Sequence, residues 1–297
     1  MKSTPGTTSP ARRATVRGPL KQIGRGTYRR LSAVTAPWRL SPDFLMIGAS
    51  RCGTTSMFLA LAGHPQVIRP AFRKGINYFD LNYGRGENWY RGHFPTAVAA
   101  RRAAAGHGEP MAFEASGYYL FHPLAMERLA HDLPAARLVV MLRNPVQRAF
   151  SAWKHERAGG FEDTTSFERA LELEDGRLAG EVERMHIDPG YESFSHRHHA
   201  YRRRGQYAEQ LERVFALAGR ERVHVVESEA YYADPPREYA RVLDFLGLSA
   251  FEPGFSQPKA HPSEPMPPAT RDMLTRHYAP HNERLAQLLG QPPSWAQ

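Results

Sequence analysis

The stretch "IGASRCGTTS", residues 47–56, decides the fold. It overlaps the end of an apolar run, "DFLMIG", that predicts a buried strand over residues 43–48. A helix-compatible stretch over residues 54–62 comes next, and a glycine and a proline close it as stop signals. A glycine-containing loop between a strand and a helix presents backbone N–H groups at the positive end of the helix, where anions bind. The stretch therefore predicts an anion-binding loop.

The side chains of this loop argue against a nucleoside triphosphate as its ligand. The two glycines have the spacing of a triphosphate-binding loop, but Thr54 stands where such a loop carries a lysine that reaches the β- and γ-phosphates. The hydroxyls of Thr54, Thr55 and Ser56 provide enough donors for one compact tetrahedral anion, and Arg51 adds a cation. The alternative is a tight turn whose hydroxyls only cap the helix.

Two more strand–helix units follow along the chain. "RLVVML" (137–142) predicts a strand followed by a helix from Pro145, and "VHVVES" (223–228) predicts another strand before a helix. A last helix is predicted over residues 269–289, interrupted near Pro280. Because strands alternate with helices, we predict an α/β protein, with a P-loop-like sheet of mainly parallel strands flanked by helices on both faces.

The positive charge of the chain is concentrated at its N-terminus. Residues 1–42 contain nine lysines and arginines and no acid, and 39 − 9 leaves 30 bases against 30 acids in the remainder. We therefore predict a basic, disordered tail over residues 1–40 and a single α/β domain over residues 41–297. The neutral domain argues against nucleic acid as a partner. Apolar residues among the arginines of residues 20–40 are compatible with contact to an anionic membrane surface, and the tail's composition also fits an organellar transit peptide.

Composition excludes several other classes of protein. No run of about 18 apolar residues is present, which excludes a membrane-spanning helix. The N-terminus lacks the apolar core of a secretory signal, so we expect a cytoplasmic location. Cys52 is the only cysteine, which excludes internal disulfides and cysteine-based zinc clusters. The cluster "SHRHHAYRRRG" (195–205) is histidine-rich, but its neighbouring histidines cannot share a helix face, so we predict no metal site there. We interpret the cluster as a solvated basic face or as a contact for an anionic acceptor.

A second pair of residues indicates a second anion site. Arg143 directly follows the strand over residues 137–142, at the sheet edge where open α/β sheets bind ligands. Ser151 lies eight residues further on, about two helical turns into the next helix. The guanidinium and the hydroxyl can therefore converge on one oxyanion. The alternative is a surface arginine and a solvent-facing serine. Two anion sites at one edge indicate a ligand with two separated anionic groups.

The loop and this second motif resemble those of a known family. "IGASRCGTTS" resembles the 5′-phosphosulfate loop of sulfotransferases that use 3′-phosphoadenosine 5′-phosphosulfate (PAPS), and "LRNPVQRAFSAW" (142–153) resembles their 3′-phosphate motif. Similarity to the heparan-sulfate-type branch and its bacterial relatives extends over about residues 43–290. Its further pieces are "KGINYFD" (74–80), "WYRGHFP" (89–95), "FEASGYYL" (113–120), "RGQYAEQLERVF" (204–215) and "YAPHNERLAQLLG" (278–290).

The resemblance implies PAPS as co-substrate, no metal, and a set of residues that contact the donor. That set is Arg51, Cys52, Gly53, Thr54, Thr55, Ser56, Arg143, Ser151, Tyr207 and Lys259. Arg51 would balance charge on the leaving oxygen as the S–O bond breaks, whereas Arg143 and Ser151 would hold the 3′-phosphate. Lys74 matches a lysine of the family and would face the donor or the acceptor.

The sequence departs from the family pattern at the position of the general base. The heparan-sulfate-type enzymes carry a Glu directly after the lysine of "KGINYFD", but here that position is Gly75. Asp80, Glu114 and His93 are the remaining candidates for the catalytic base, since carboxylates and imidazole are the usual proton acceptors. Each also has a structural alternative: Asp80 positions a loop, Glu114 pairs with an arginine, and His93 caps or packs.

The function predicted on this basis is transfer of a sulfuryl group from PAPS to a hydroxyl or amine of a carbohydrate, lipid or small-molecule acceptor. One alternative is a catalytically silent module that binds an anion or nucleotide, which Gly75 favours. A P-loop kinase is a second alternative, and Thr54 in the lysine position argues against it. A membrane or nucleic-acid adaptor that acts through the basic tail is a third.

Overall fold

The computed structural model describes residues 34–71, 73–255 and 265–296. Its centre is a five-stranded sheet in the order β2-β3-β1-β4-β5. The strands are β1 (Phe44–Gly48), β2 (Val67–Ile68), β3 (Met111–Ala115), β4 (Arg137–Leu142) and β5 (Val223–Glu227). Every pair of neighbouring strands in this sheet is parallel, which confirms the predicted α/β class.

Helices surround the sheet. The α-helices of the described residues are α1 (Thr54–Gly63), α2 (Tyr78–Leu81), α3 (Glu87–Arg91), α4 (Ala97–Ala103), α5 (Ala125–Asp132), α6 (Pro145–Gly159), α7 (Phe167–Leu178), α8 (Glu181–Ile187), α9 (Phe194–His198), α10 (Tyr207–Ala218), α11 (Ser228–Ala233), α12 (Pro235–Leu246) and α13 (Pro268–Leu289). Short 3₁₀ segments lie at Ala36–Trp38, Tyr83–Arg85, Arg203–Gly205, Arg220–Arg222 and Ser294–Ala296.

The two central strands explain why the sheet forms where it does. Every residue of β1 and all but the first residue of β4 are buried, as expected for parallel strands covered by helices on both sides. Phe44 of β1 stands opposite Phe113 of β3, and their rings stack with centroids 4.9 Å apart. The pairing of β1 with β4 shifts register between Met46 and Gly48, where the chain leaves the sheet for the loop.

The last helix differs from its prediction. α13 runs unbroken through Pro280, although a proline inside a helix removes one hydrogen bond at a cost of about 3 kcal/mol. Leu274, Tyr278 and Leu285 are buried on one side of α13, so tertiary packing holds both halves in line. Pro280 itself lies on the exposed side, where water can satisfy the backbone carbonyl that the ring leaves unbonded.

The folded domain begins earlier than the predicted boundary at residue 40. Ala36 is completely buried, and the Leu40 N–H donates to the carbonyl of Pro95 at 3.0 Å. Arg39 forms an isolated antiparallel bridge with Thr96. Residues 1–33 of the predicted tail lie outside the described residues. Among those that are described, no helix has the length and apolar character needed to cross a membrane.

Candidate functional site

The loop after β1 is held by both of its neighbours in the sheet. The Ala49 N–H donates to the carbonyl of Met141 in β4 at 2.7 Å, and Ser50 Oγ donates to the carbonyl of Gly117, just after β3, at 2.9 Å. Arg51 and Gly53 take left-handed backbone conformations, with φ of +72° and +76°. These turns bring the chain directly into the first turn of α1.

The first turn of α1 has the donors that an anion site needs. Within the described residues, the backbone N–H groups of Gly53, Thr54 and Thr55 have no acceptor. The hydroxyls of Thr54, Thr55 and Ser56 lie on the same turn, and none of these three residues is buried. Because α1 is a ten-residue helix, its dipole adds positive potential at this end.

Lys74 supplies the ammonium group that the loop sequence lacks. It lies on the segment between β2 and α2, and its Nζ donates to Thr54 Oγ1 at 2.9 Å and to Thr55 Oγ1 at 3.3 Å. Burial lowers the pKa of this amino group to about 8. The ammonium is thus aimed at the helix end from a different part of the chain than the lysine of a triphosphate-binding loop.

The second group of cations lies at the start of α6. Arg51 Nε donates to Ser151 Oγ at 3.2 Å, and Arg51 Nη1 lies 3.4 Å from His155 Nδ1. Arg143 lies beside this loop, with its Nη1 3.5 Å from the carbonyl of Arg51 and its Nη2 donating to Gln147 Oε1 at 3.1 Å. Arg51 therefore contacts both Ser151 and Arg143, whereas the sequence placed Arg51 at the first anion site and paired Arg143 with Ser151.

These cations repel one another. Partial burial lowers the pKa of Arg51, and the positive charge of Arg143 lowers it further. The pKa of Lys154, one residue before His155 on α6, is lowered by burial and then by the charges of Arg143 and Arg51. A bound anion would relieve this repulsion, so the cluster has the electrostatics of a phosphate site.

Tyr232 of α11 covers the outer side of the loop. Its hydroxyl lies 3.1 Å from Ser56 Oγ, and a Cβ on Gly53 would lie 2.8 Å from that hydroxyl. Gly53 is therefore required both for its backbone conformation and for the space that Tyr232 occupies. Ser228, at the start of α11, donates its hydroxyl proton to the carbonyl of Cys52 at 2.6 Å and ties the same helix to the loop.

The sulfotransferase domain family matches residues 41–258 of this chain. This chain belongs to the sulfotransferase family. The match confirms the enzyme class that the resemblance implied, a PAPS-dependent sulfotransferase.

Individual relatives agree with this family. A crystal structure of a sulfotransferase from Alicyclobacillus acidocaldarius is 32% identical, has a TM-score of 0.65 and covers 86% of this chain and 99% of that one. Mouse bifunctional heparan sulfate N-deacetylase/N-sulfotransferase 4 is 26% identical over 291 residues, covering 86% of this chain and 31% of that protein. The membrane-associated sulfotransferase kil1 of Dictyostelium discoideum is 22% identical and covers 86% of this chain and 66% of that protein. This sulfotransferase therefore spans about a third of the length of the mouse relative.

Two of the predicted donor contacts have side chains that face the protein interior instead. Tyr207 is buried, and its hydroxyl donates to the carbonyl of Arg143 at 2.9 Å, so it positions the strand end. Cys52 is completely buried with its Sγ 3.7 Å from the Tyr207 hydroxyl, and its N–H donates to the carbonyl of Ala49. Burial raises the pKa of the Cys52 thiol to about 11, so it is a packing residue that stays protonated.

Glu114 is not placed as a base for an acceptor, because it is completely buried in β3. Its carboxylate accepts hydrogen bonds from the Ile76 N–H (2.8 Å), Tyr119 OH (2.6 Å), Ser116 Oγ (3.0 Å) and Tyr90 OH (3.2 Å). Burial raises the pKa of the Glu114 carboxyl group to about 7, although the hydrogen bonds from Tyr119, Ile76 and Ser116 act to lower it. Since Ile76 is two residues after Lys74, Glu114 anchors the segment that carries the site's lysine. The predicted alternative, an ion pair between Glu114 and an arginine, is not observed either, because the four groups that donate to this carboxylate are all uncharged.

Asp80 and His93 are buried as well. Asp80 accepts from Asn77 Nδ2 at 2.9 Å and from the Leu81 N–H at 2.7 Å, so it stabilises the turn into α2, and burial raises its pKa to about 6. His93 packs its ring against Trp89, 4.5 Å between centroids, with its Nδ1 2.9 Å from the Trp89 carbonyl. Both were predicted as catalytic candidates, and both lie among groups that position the backbone.

The position of the family's glutamate is closed by the backbone. A Cβ on Gly75 would lie 2.7 Å from the carbonyl oxygen of Ala115 and 2.8 Å from Ser116 Oγ. A glutamate therefore cannot replace Gly75 without movement of β3. Lys259, the last predicted donor contact, lies outside the described residues.

The histidine cluster is not a solvated face. His196, His199 and Arg204 are buried. His198 places its Nδ1 2.7 Å from Glu156 Oε2, whereas His196 bonds Tyr118. The imidazoles therefore have separate partners, and among residues 34–71, 73–255 and 265–296 no cluster of three potential metal ligands is present.

Proposed function

We propose that this sulfotransferase binds PAPS along the carboxyl edge of its sheet and transfers the sulfuryl group to an amine of a glycan. The observation that carries the proposal is the pair of cationic sites that flank one loop. Lys74 Nζ donates to the hydroxyls of Thr54 and Thr55 on one side. On the other side Arg51 donates to Ser151, and Arg143 lies against the carbonyl of Arg51. A donor with a 5′-phosphosulfate and a separate 3′-phosphate has anionic groups for both.

The 5′-phosphosulfate is assigned to the first turn of α1. The N–H groups of Gly53, Thr54 and Thr55 would donate to its oxygens, together with the hydroxyls on that turn. The 3′-phosphate is assigned to Arg143 and Ser151, where an arginine fork can bind two oxygens at once. Arg51 points to Ser151 in this structure, so it is assigned to the 3′-phosphate side in place of the leaving oxygen.

The reaction is a displacement at sulfur. The acceptor's lone pair forms the new bond to sulfur while the S–O bond to the 5′-phosphate breaks, and that bond's electron pair remains on the phosphate oxygen of the 3′,5′-ADP product. Negative charge therefore grows on the oxygen nearest α1. Lys74, held there in its charged form below a pH of about 8, would stabilise it, and fixed donors of this type contribute about 10²–10³ to the rate.

The acceptor is proposed to be an amine because of the relatives with N-sulfotransferase in their names, and Gly75 is compatible with that proposal. A hydroxyl nucleophile benefits from a base that removes its proton as the bond forms, whereas a free amine attacks with its own lone pair and loses the proton afterwards. Gly75 leaves no carboxylate at the position that the heparan-sulfate-type enzymes use for a base, and the backbone of β3 closes that space. The relatives with N-sulfotransferase in their names make a glycan the first acceptor to test.

Transfer of radioactive sulfate from labelled PAPS tests this proposal. One acceptor is a glucosamine-containing glycan with free amino groups, and the matched control is the same glycan after N-acetylation. We expect label on the first and at most a small fraction of it on the second. Equal labelling of both would show that a hydroxyl is the acceptor.

The second candidate function is a module that binds the donor nucleotide without turnover. Gly75 and the burial of Glu114 and Asp80 favour it, because these are the positions from which a base was expected. Binding of 3′,5′-ADP with no label on any amine- or hydroxyl-bearing acceptor would support this candidate over the enzyme.

A further inference from the structure

A histidine and a glutamate form a pair near the donor loop. His198, the last residue of α9, places its Nδ1 2.7 Å from Oε2 of Glu156 on α6. Because a carboxylate accepts hydrogen bonds, Nδ1 carries the proton of the neutral ring, and Nε2 keeps its lone pair. Nε2 makes no hydrogen bond within the described residues and is not one of their buried unpaired atoms, so this nitrogen reaches solvent.

Helix α6 connects this pair to the donor loop from one side. His155, the residue before Glu156, has its Nδ1 3.4 Å from Arg51 Nη1. Ser151, which accepts from Arg51 Nε at 3.2 Å, lies five residues before Glu156, a rise of about 7.5 Å along the helix. Burial lowers the pKa of Arg51, whereas the negative charge of Glu156 acts to raise it. Glu156 therefore lies close enough to the loop to act on its arginine.

The segment after β3 connects α9 to the same loop from another side. Ser50 Oγ donates to the carbonyl of Gly117 at 2.9 Å. The hydroxyl of Tyr118, the next residue, lies 2.7 Å from His196 Nδ1. His196 and His198 are two residues apart on α9. Two short series of contacts, one through α6 and one through Tyr118, thus place the imidazole of His198 near the loop.

Two exposed aromatic rings flank this imidazole. The ring centroids of Phe161 and Phe194 lie 4.3 Å and 4.7 Å from that of His198. Phe161 is 45% exposed and Phe194 is 52% exposed, so both leave apolar surface open to solvent. Ligand sites combine aromatic surface of this kind with a few polar groups. The C–H groups of a sugar ring can cover these rings while its amino group meets the imidazole.

We propose that His198 is the proton acceptor of the sulfuryl transfer, that Glu156 positions it, and that Phe161 and Phe194 bind the sugar ring of the acceptor. This role rests on the proposed function, transfer to an amine of a glycan. The base then comes from α9, in place of the family's glutamate, whose position is closed at Gly75.

The proton balance of the reaction follows from this assignment. The acceptor nitrogen forms the N–S bond with its lone pair, and the electron pair of the breaking S–O bond leaves on the 5′-phosphate oxygen. One proton of that nitrogen moves to His198 Nε2, so the products are a sulfamate, 3′,5′-ADP and an imidazolium. The carboxylate of Glu156 stabilises the imidazolium until its proton passes to water.

Removal of the imidazole from the full chain tests this role. His198→Ala should lower kcat for transfer of labelled sulfate to the free-amine glycan about 100-fold and leave the Kd for 3′,5′-ADP unchanged. Imidazole added to the buffer should restore part of that rate. His131→Ala is the matched control, because His131 is an exposed histidine whose Nδ1 lies 2.8 Å from the carboxylate of Asp132 on α5. It should keep the wild-type rate and show no response to imidazole.

Two further variants separate positioning of the base from binding of the acceptor. Glu156→Gln keeps an oxygen that can accept from His198 Nδ1 but removes the charge, so it should lower kcat about tenfold with KM unchanged. Phe194→Ala removes apolar surface, so it should raise KM for the glycan about fivefold with kcat unchanged.

The outcomes distinguish the role of His198 from the proposed function. Turnover by His198→Ala at the rate of His131→Ala would overturn this role. A loss of rate that is matched by weaker binding of 3′,5′-ADP and is not restored by imidazole would overturn it as well. A wild type that labels no amine would instead refute the proposed function, and the role of His198 with it.

Discussion

Removal of the Lys74 ammonium group should weaken binding of the donor nucleotide strongly, although Lys74 lies outside the loop itself. The substitution Lys74→Met removes the charge and keeps an unbranched side chain near the Phe58 ring, over which Nζ now lies at 5.8 Å. Charge-assisted hydrogen bonds contribute about 1.5–3 kcal/mol each. We therefore expect the dissociation constant for 3′,5′-ADP to rise about 10- to 150-fold.

The pH dependence of the same binding identifies the group. Burial lowers the pKa of Lys74 to about 8, so the free protein carries the charged form below this pH and the neutral form above it. Because the anionic nucleotide selects the ammonium, the dissociation constant of the wild type should be lowest below about pH 8. It should then rise above that pH by up to about tenfold per pH unit. Lys74→Met should show no such rise.

Isothermal titration calorimetry at several pH values measures both effects. Arg73→Met is the matched control, because Arg73 is the exposed neighbour of Lys74 and its loss removes the same charge from the chain. The reasoning is refuted if Lys74→Met binds 3′,5′-ADP as tightly as Arg73→Met does. A rise above pH 8 that persists in Lys74→Met would assign the titration to another group.

Three further predictions concern the rest of the site. Arg143→Ala should raise the dissociation constant for 3′,5′-ADP about 10- to 100-fold and leave that for 5′-ADP unchanged. An equal loss of affinity for both nucleotides in calorimetry would contradict the assignment of the 3′-phosphate to this arginine. Burial raises the pKa of Glu114 from 4.5 to about 7, so its contribution to stability is complete below pH 4.5 and is lost as the pH rises through 7. Thermal melts of the wild type should lose on the order of 3 kcal/mol from this group over that range, and Glu114→Gln, which cannot titrate, should lack that loss. Gly75→Ala should destabilise the protein by about 1–3 kcal/mol because its Cβ meets the Ala115 carbonyl, whereas Gly84→Ala, with open space around it, should melt near the wild type; equal melting temperatures would contradict the close packing at Gly75.

The parts of the fold that could be predicted are those with continuous apolar runs. β4 has the predicted bounds and β1 differs from prediction by one residue, because strands buried on both faces need no polar residue. β5 also differs by one residue, although it is a partly exposed edge strand that contains His224 and Glu227. β3 was missed as a strand. Its sequence "MAFEA" contains Glu114, and only tertiary contacts from Tyr119, Tyr90 and the Ile76 N–H make a carboxylate acceptable there. β2, at two residues, is too short for any periodicity.

In the site, too, the features that follow from local sequence could be predicted, whereas those made by contacts between distant segments could not. Arg143 and Ser151 were predicted to converge because they lie on one strand–helix unit, where helical geometry alone sets their separation. The contact of Lys74 with Thr54 joins segments 20 residues apart, and Tyr232 reaches Ser56 across 176 residues, so neither contact follows from local pattern. His155 could have been found, since it lies one turn after Ser151 on the same face of α6.

The three candidate bases were chosen for their chemistry, and burial excludes them from contact with an acceptor in this structure. Asp80, Glu114 and His93 are each less than 10% exposed. Composition and spacing do not distinguish a carboxylate that faces a cleft from one that accepts backbone N–H groups in the core. The cytoplasmic location, the absence of a metal requirement and a membrane contact through residues 20–40 stay predictions.

The most direct test of the account is the thermal stability of the full chain with 3′,5′-ADP, with 5′-ADP, and with ATP plus Mg²⁺. A ligand present at about 100 times its dissociation constant stabilises the native state by about 2.7 kcal/mol. The account predicts the largest stabilisation from 3′,5′-ADP, a smaller one from 5′-ADP and none that requires Mg²⁺. A shift with ATP and Mg²⁺ that equals or exceeds the shift with 3′,5′-ADP would contradict the assignment of the two anion sites to PAPS.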